Sequence, residues 1–313
     1  MQRYIYAAAL VLMIIFVIVA SFFIFPALLP SSSTQATGTP TATPTFTPTA
    51  EPTPTSEPSP TPTLQAIRLV STYLLDATTG RTLIDTASTM RLPMASTTKI
   101  MTAVLTIEHL SLTDRATVER SELDEIPPGG YSVAFLQPGD SLSILDLLYG
   151  LLLPSGCDAA IVLAHAVSGN SASFVLLMNA RARKLGLRNT HFANPAGFTD
   201  PANYSTATDL TKLARYAMSL SVFAQIVRQQ NFVLPATLNH HRYDNWQNTN
   251  QLLGLYPGAD GIKTGNSDDS GYCLVFSATR NGHRLIGTLM HDSSDELYQD
   301  SMSALDTGFA HLA

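Results

Sequence analysis

Two cysteines in 313 residues, Cys157 and Cys273, offer no disulfide framework, and both thiols are expected to be free. Charge is scarce too. Only 13% of residues are Asp, Glu, Lys or Arg, the net charge is −6, and no basic block or aromatic–basic interleaving occurs, which sets nucleic acid aside as a partner. The eight histidines lack metal-ligand spacing: His240 and His241 are adjacent, and His283 and His291 fall in or beside expected strands. Neither a metal nor a cofactor is expected.

Charge is missing altogether from residues 4–29, a Leu-, Ile-, Val- and Phe-rich run interrupted by one proline, Pro26. Such a run is long enough to cross a hydrocarbon core of about 30 Å. It outlasts the apolar region of a cleaved signal peptide, and the small-residue string Val19-Ala20-Ser21 lies inside it, so residues 1–30 are expected to form an uncleaved transmembrane anchor. Arg3 before the run, with no positive charge for tens of residues after it, orients the N-terminus to the cytoplasm and the rest of the chain outside. Residues 31–63 are almost wholly Thr, Pro, Ser, Ala and Glu, with Phe46 the only aromatic. They cannot bury enough apolar surface to offset their ordering entropy, and read as a disordered, proline-stiffened linker with a reach of at most roughly 100 Å.

What remains, residues 64–313, is long enough for a substantial core. Ile67 to Leu75 and Arg81 to Asp85 read as a hairpin around Asp76–Gly80. Helical periodicity marks 96–110, 144–153, 158–167, 173–185 and 207–219, and apolar runs mark strands at 262–264, 271–279 and 284–290. Strands at both ends with helices between predict one α/β domain, with an antiparallel sheet beside a helical lobe.

Three strings carry the chemistry: Ser96-Thr97-Thr98-Lys99, Ser155-Gly156-Cys157 and Lys263-Thr264-Gly265. A serine hydroxyl is a weak nucleophile until a base takes its proton, and a lysine three residues on along a helix is within reach to do so. Ser96 also stands where a helix is expected to begin, so N-terminal N–H groups favour negative charge developing beside it. The ordered set points to serine acyl transfer.

At these residues the chain resembles the penicillin-recognising serine D,D-peptidases, closest to the low-molecular-mass D-alanyl-D-alanine carboxypeptidases. The likeness runs over about residues 64–305 and includes Leu147–Leu153, Met178-Asn179, Leu185-Gly186, His191–Pro195, Tyr204–Leu210 and Asp260–Gly265. It implies a fold similar to serine β-lactamases and transpeptidases. It also implies removal of the terminal D-Ala from peptidoglycan stem peptides ending in D-Ala-D-Ala, through an acyl-serine intermediate, with β-lactam antibiotics as inhibitors.

In that reading Ser96 is the nucleophile and Lys99 the base, and Ser155 sits between Lys99 and Lys263 as a proton relay to the leaving D-alanine. Lys263 and Thr264 hold the substrate carboxylate, Gly265 admits the substrate backbone, and the N–H groups of Ser96 and Asn266 form the oxyanion hole. Cys157 departs from the family's usual Asn, whose amide bonds the lysine and the substrate; a thiol donates and accepts only weakly. Cys157 is expected to line the cleft without acting as nucleophile, since no histidine lies near it in sequence. His191 is expected to be structural. Two other readings share the motifs: a serine β-lactamase, disfavoured in its class A form by the lack of any Glu between Glu125 and Glu296, and a non-catalytic penicillin-binding wall scaffold.

Overall fold

The computed structural model describes residues 70–312, so the apolar run and the Thr/Pro-rich segment expected to be anchor and linker lie outside the described residues. The described residues belong to one compact unit, Leu64–Ala313. Its centre is a five-stranded antiparallel sheet of β1 (Ser71–Asp76), β2 (Thr82–Thr86), β3 (Ala259–Ser267), β4 (Gly271–Arg280) and β5 (His283–Asp292). The order is β2-β1-β5-β4-β3, so strands from the two ends of the sequence pair directly, Ser71 opposite Met290 and Asp76 opposite Leu285.

Both faces of this sheet are covered, which explains why its strands read as continuous apolar runs. Leu74, Leu274, Phe276, Leu285 and Leu289 point to one side and pack with Leu305 and Phe309 of a C-terminal helix. Leu75, Val275, Ile286 and Met290, the alternate residues, join the larger core of the helical lobe.

The helices of seven residues or more are α1 (Lys99–His109), α2 (Ile144–Leu152), α3 (Cys157–Ser168), α4 (Ser171–Lys184), α5 (Ala207–Ser219), α6 (Ser221–Val227) and α7 (Leu297–Ala310). α1 is buried on every side over its first two turns, from Lys99 to Thr106. It is the axis of the lobe. A capping box starts α2, with Ser143 Oγ accepting from Asp146 N at 3.1 Å and the Asp146 carboxylate accepting from Ser143 N at 3.3 Å. Thr206 Oγ1 caps α5 in the same manner, accepting from Asp209 N at 3.1 Å.

The five expected helices and the terminal strands are present. Two boundaries differ most: the strand expected at 262–264 runs over Ala259–Ser267, and Ala95–Thr98 forms a 3₁₀ turn so that the α-helix begins only at Lys99. Ala95 is held at φ 44°, and Thr97 Oγ1 donates to Met94 O at 2.6 Å, which tightens the turn that presents Ser96. Elements not anticipated include α6, α7 and a hairpin of Asn231–Leu234 with Tyr243–Gln247. Among the described residues no single helix is long and apolar enough to cross a membrane.

Candidate active site

The 3₁₀ turn and the first turn of α1 place Ser96 and Lys99 against each other, with Lys99 Nζ 2.9 Å from Ser96 Oγ. Lys99 is fully buried. Its nitrogen has two further neighbours, the Ala196 carbonyl oxygen at 2.6 Å and Cys157 Sγ at 3.4 Å. Three contacts around one amine leave it no room for water and fix its direction.

Ser155 and Cys157 come from the break between α2 and α3. Ser155 takes φ 64°, a left-handed conformation that costs a non-glycine residue about 1–3 kcal/mol and persists only where the surroundings impose it. The surroundings here are backbone bonds from Gly156 N to Gly150 O at 3.0 Å and from Cys157 N to Ser132 O at 2.9 Å. Next along α3, the buried Asp158 carboxylate accepts from Ala134 N at 2.8 Å and Leu136 N at 3.0 Å. It thereby ties the loop carrying Tyr131 and Ser132 to the helix that begins at Cys157. Burial pushes the Asp158 carboxyl up despite those bonds.

The third wall is β3, the edge strand of the sheet. Lys263 is 1% exposed and donates to Thr264 O at 3.1 Å. Burial, with the charge of nearby Lys99, holds its amine well below the ordinary lysine range, against a smaller opposing pull from Cys157. Gly265 lies against the serine turn: a β-carbon there would sit 2.9 Å from Met94 O and 3.1 Å from Thr97 N, so only glycine lets the strand come this close.

These walls enclose a cleft of about 720 Å³ lined by Ser96, Tyr131, Ser155, Thr264, Gly265 and Asn266, among others. The sequence-predicted residues therefore converge on one place, but three stand differently from expectation, the first being Lys263, which is buried and does not line the cleft, its amine lying on Thr264 O. Cys157 is 2% exposed and lies behind the cleft wall with its sulfur on Lys99, because the first turn of α3 points it inward. Ser155 does face the cleft, yet its buried Oγ has no hydrogen-bond partner and bridges neither lysine. His191 is held by the loop it starts, with its Nδ1 2.6 Å from Ala202 O.

Two site residues escaped the sequence. Thr249 lines the cleft with its Oγ1 2.6 Å from Thr264 Oγ1, and its own carbonyl accepts from the Tyr298 hydroxyl at 3.1 Å. Ala196 acts through a backbone carbonyl, which no side-chain motif announces.

A family model described as D-alanyl-D-alanine carboxypeptidase, peptidase S11, matches residues 55–294. The chain belongs to this family. It is 41% identical over 260 residues to the D-alanyl-D-alanine carboxypeptidase of Streptomyces sp. (strain K15), covering 79% of this chain and 89% of that one. With DacF of Bacillus subtilis (strain 168) it shares 33% over 228 residues, 72% of this chain and 57% of the relative. The crystal structure of the Streptomyces K15 DD-transpeptidase superposes with a TM-score of 0.74 at 40% identity, over 79% of this chain and 99% of that one. A penicillin-binding protein homolog of Mycobacterium tuberculosis gives 0.70 at 31% identity, over 80% and 94%. The S11 family places the fold among the D,D-peptidases and the chain among serine peptidases.

Proposed function

We propose that this S11 peptidase removes the terminal D-Ala from peptidoglycan stem peptides ending in D-Ala-D-Ala, with Ser96 as nucleophile and Lys99 as its base. The observation that carries this reading is the 2.9 Å approach of a buried lysine amine to the serine hydroxyl inside a cleft. In its amine form Lys99 has two N–H groups and one lone pair. The N–H groups meet acceptors in Ala196 O and Cys157 Sγ, and the lone pair is left for the Ser96 O–H.

As the Ser96 oxygen bonds to the carbonyl carbon of the penultimate D-Ala, its proton passes to Lys99. The developing oxyanion lies beside the N–H groups of Ser96 and Asn266, brought together by the close approach at Gly265. Collapse breaks the peptide C–N bond, and the leaving D-Ala nitrogen takes up the proton that Lys99 accepted from Ser96, with the unpartnered Ser155 Oγ as the relay. Water then attacks the acyl-serine, releasing the shortened peptide and restoring Ser96. The paired hydroxyls of Thr264 and Thr249, which line the cleft, receive the terminal carboxylate, with the buried Lys263 next to Thr264 in sequence supplying positive charge. A carboxylate arriving beside Lys263 favours its charged form, opposing the burial that lowers its pKa. β-Lactams acylate the same serine.

The reading extends to location. Residues 1–30 hold the enzyme in the membrane as a single span, and residues 31–63 let the domain work at a distance outside it.

The full chain, incubated with a labelled penicillin and digested, is expected to yield one modified peptide, carrying Ser96, and to release D-alanine from a diacylated D-Ala-D-Ala peptide. An adduct that survives Ser96→Ala rejects the nucleophile. An adduct without D-alanine release favours the scaffold, and rapid loss of the adduct by hydrolysis favours a β-lactamase.

A further inference from the structure

We infer that Asn194 is a positioning residue for Lys99, acting through the peptide unit between Ala196 and Gly197; the inference rests on the assignment of Lys99 as the base. The contact at issue is the shortest that Lys99 makes, 2.6 Å to Ala196 O. Ala196 lies in a segment without regular secondary structure, so nothing in a helix or strand fixes the direction of its carbonyl.

Asn194 supplies what the segment lacks. Its Oδ1 accepts from three consecutive backbone N–H groups, those of Ala196 at 3.3 Å, Gly197 at 2.7 Å and Phe198 at 2.9 Å. Its Nδ2 donates to Phe198 O at 3.1 Å. The shortest of these bonds goes to the Gly197 N–H, which belongs to the same planar peptide unit as the Ala196 carbonyl. That unit is held at both ends, by Asn194 Oδ1 at its N–H and by Lys99 Nζ at its oxygen. Hydrogen bonds in series polarise one another, so the Asn194 bond both aims the carbonyl and makes it a stronger acceptor.

The rest of the loop is docked onto the catalytic elements around this unit. Pro195 O accepts from Thr102 Oγ1 at 2.6 Å, one turn along α1 from Lys99. Gly197 has φ 84°, and a β-carbon there would fall 2.1 Å from Ala95 O, on the turn that presents Ser96. The peptide unit is therefore wedged between nucleophile and base, and a small rotation of it moves the Lys99 amine off the serine.

A matched control exists nearby. Asn179 on α4 clamps Phe192, accepting from its N–H at 3.0 Å and donating to its carbonyl at 2.8 Å, in the same segment but without contact to Lys99. The experiment is stopped-flow acylation of the full chain by a fluorescent penicillin, in which the Ser96 oxygen adds to the lactam carbonyl and the ring C–N bond opens. It separates the affinity of the initial non-covalent complex from the acylation rate constant. Asn194→Ala is expected to lose about 10²-fold in the acylation rate constant, as misplaced catalytic groups do, with non-covalent affinity little changed. Asn179→Ala is expected to lower the thermal midpoint and leave the rate constant intact. Asn194→Asp keeps the acceptor for all three N–H groups and is expected to acylate at a rate closer to the native protein than to the alanine variant.

Normal acylation by Asn194→Ala, with Lys99→Ala inactive, overturns the inference alone. So does a rate loss shared equally by Asn194→Ala and Asn179→Ala or, if Asn194→Ala fails to fold, a folded Asn194→Asp that acylates about 10²-fold more slowly than the native protein. Normal acylation by Lys99→Ala overturns the assignment of the base instead.

Discussion

Lys99 is a buried amine with three acceptors or partners and one task, and the residue that replaces the family's usual Asn, Cys157, is one of those partners. A thiol is a weaker partner than an amide, so Cys157→Asn is expected to keep or raise D-alanine release, whereas Ser96→Ala and Lys99→Ala each lower it by at least about 10³-fold. Loss of all turnover in Cys157→Ser alongside an active Ser96→Ala reverses the assignment. Lys263 makes a second case at this scale. The unfolded chain protonates that lysine near its ordinary value of about 10.4, while the folded protein resists protonation, so the unfolded state binds more protons below that pH. Stability from this residue is complete above the unfolded value and is lost as pH falls through the window toward the folded one. Lys263→Met is therefore expected to melt higher than the native protein at about neutral pH, with the gap closing as the ordinary lysine pKa is approached, while turnover collapses. A gap that does not vary with pH rejects the account.

Asp158 shows how one side chain organises an element. It grips Ala134 and Leu136 on either side of Phe135, whose φ is 61°, and so holds a strained loop against the start of α3. Asp158→Ala leaves three buried N–H groups, those of Ala134, Leu136 and Ala159, without this acceptor, at about 1–3 kcal/mol each. A lower denaturation midpoint with slower penicillin acylation is expected; a stable variant with native acylation means the wall does not depend on this anchor. Elements with strong signals were legible in the sequence: the apolar strands around Ile262, Val275 and Ile286, and the helices on either side of Ser155. α7 was not, because its buried stripe of Leu297, Ser301, Ala304, Leu305, Gly308 and Phe309 is half small residues with little hydrophobic contrast. The hairpin was missed because Asn231–Leu234 is four residues long and Tyr243–Gln247 mixes buried aromatics with exposed polar residues. Of the site, Ser96, Lys99 and Lys263 were legible because their chemistry is in the side chain. Ala196 works through its backbone and Thr249 through a contact with Thr264 that only the fold creates.

At the scale of the whole chain, the proposed location rests on the apolar run of residues 4–29 and the Thr/Pro-rich residues 31–63. The protein is expected in the membrane fraction with its first residues intact, since the run outlasts a signal-peptide core. N-terminal sequencing that finds a mature end at or beyond Ser21 overturns the anchor. Within the catalytic unit, the pairing of Ser71 with Met290 couples the first strand to the last. Ser96 is made early and Lys263 late, and the strand holding Lys263 joins the sheet through β4, which is itself bound to β1 only by way of β5. Pairings so distant in sequence form slowly, because loop closure must precede the contacts that reward it. A chain emerging from its N-terminus thus carries Ser96 and Lys99 long before Ala196 fixes the lysine and before the wall bearing Lys263 exists, and the cleft closes only when those later strands pair.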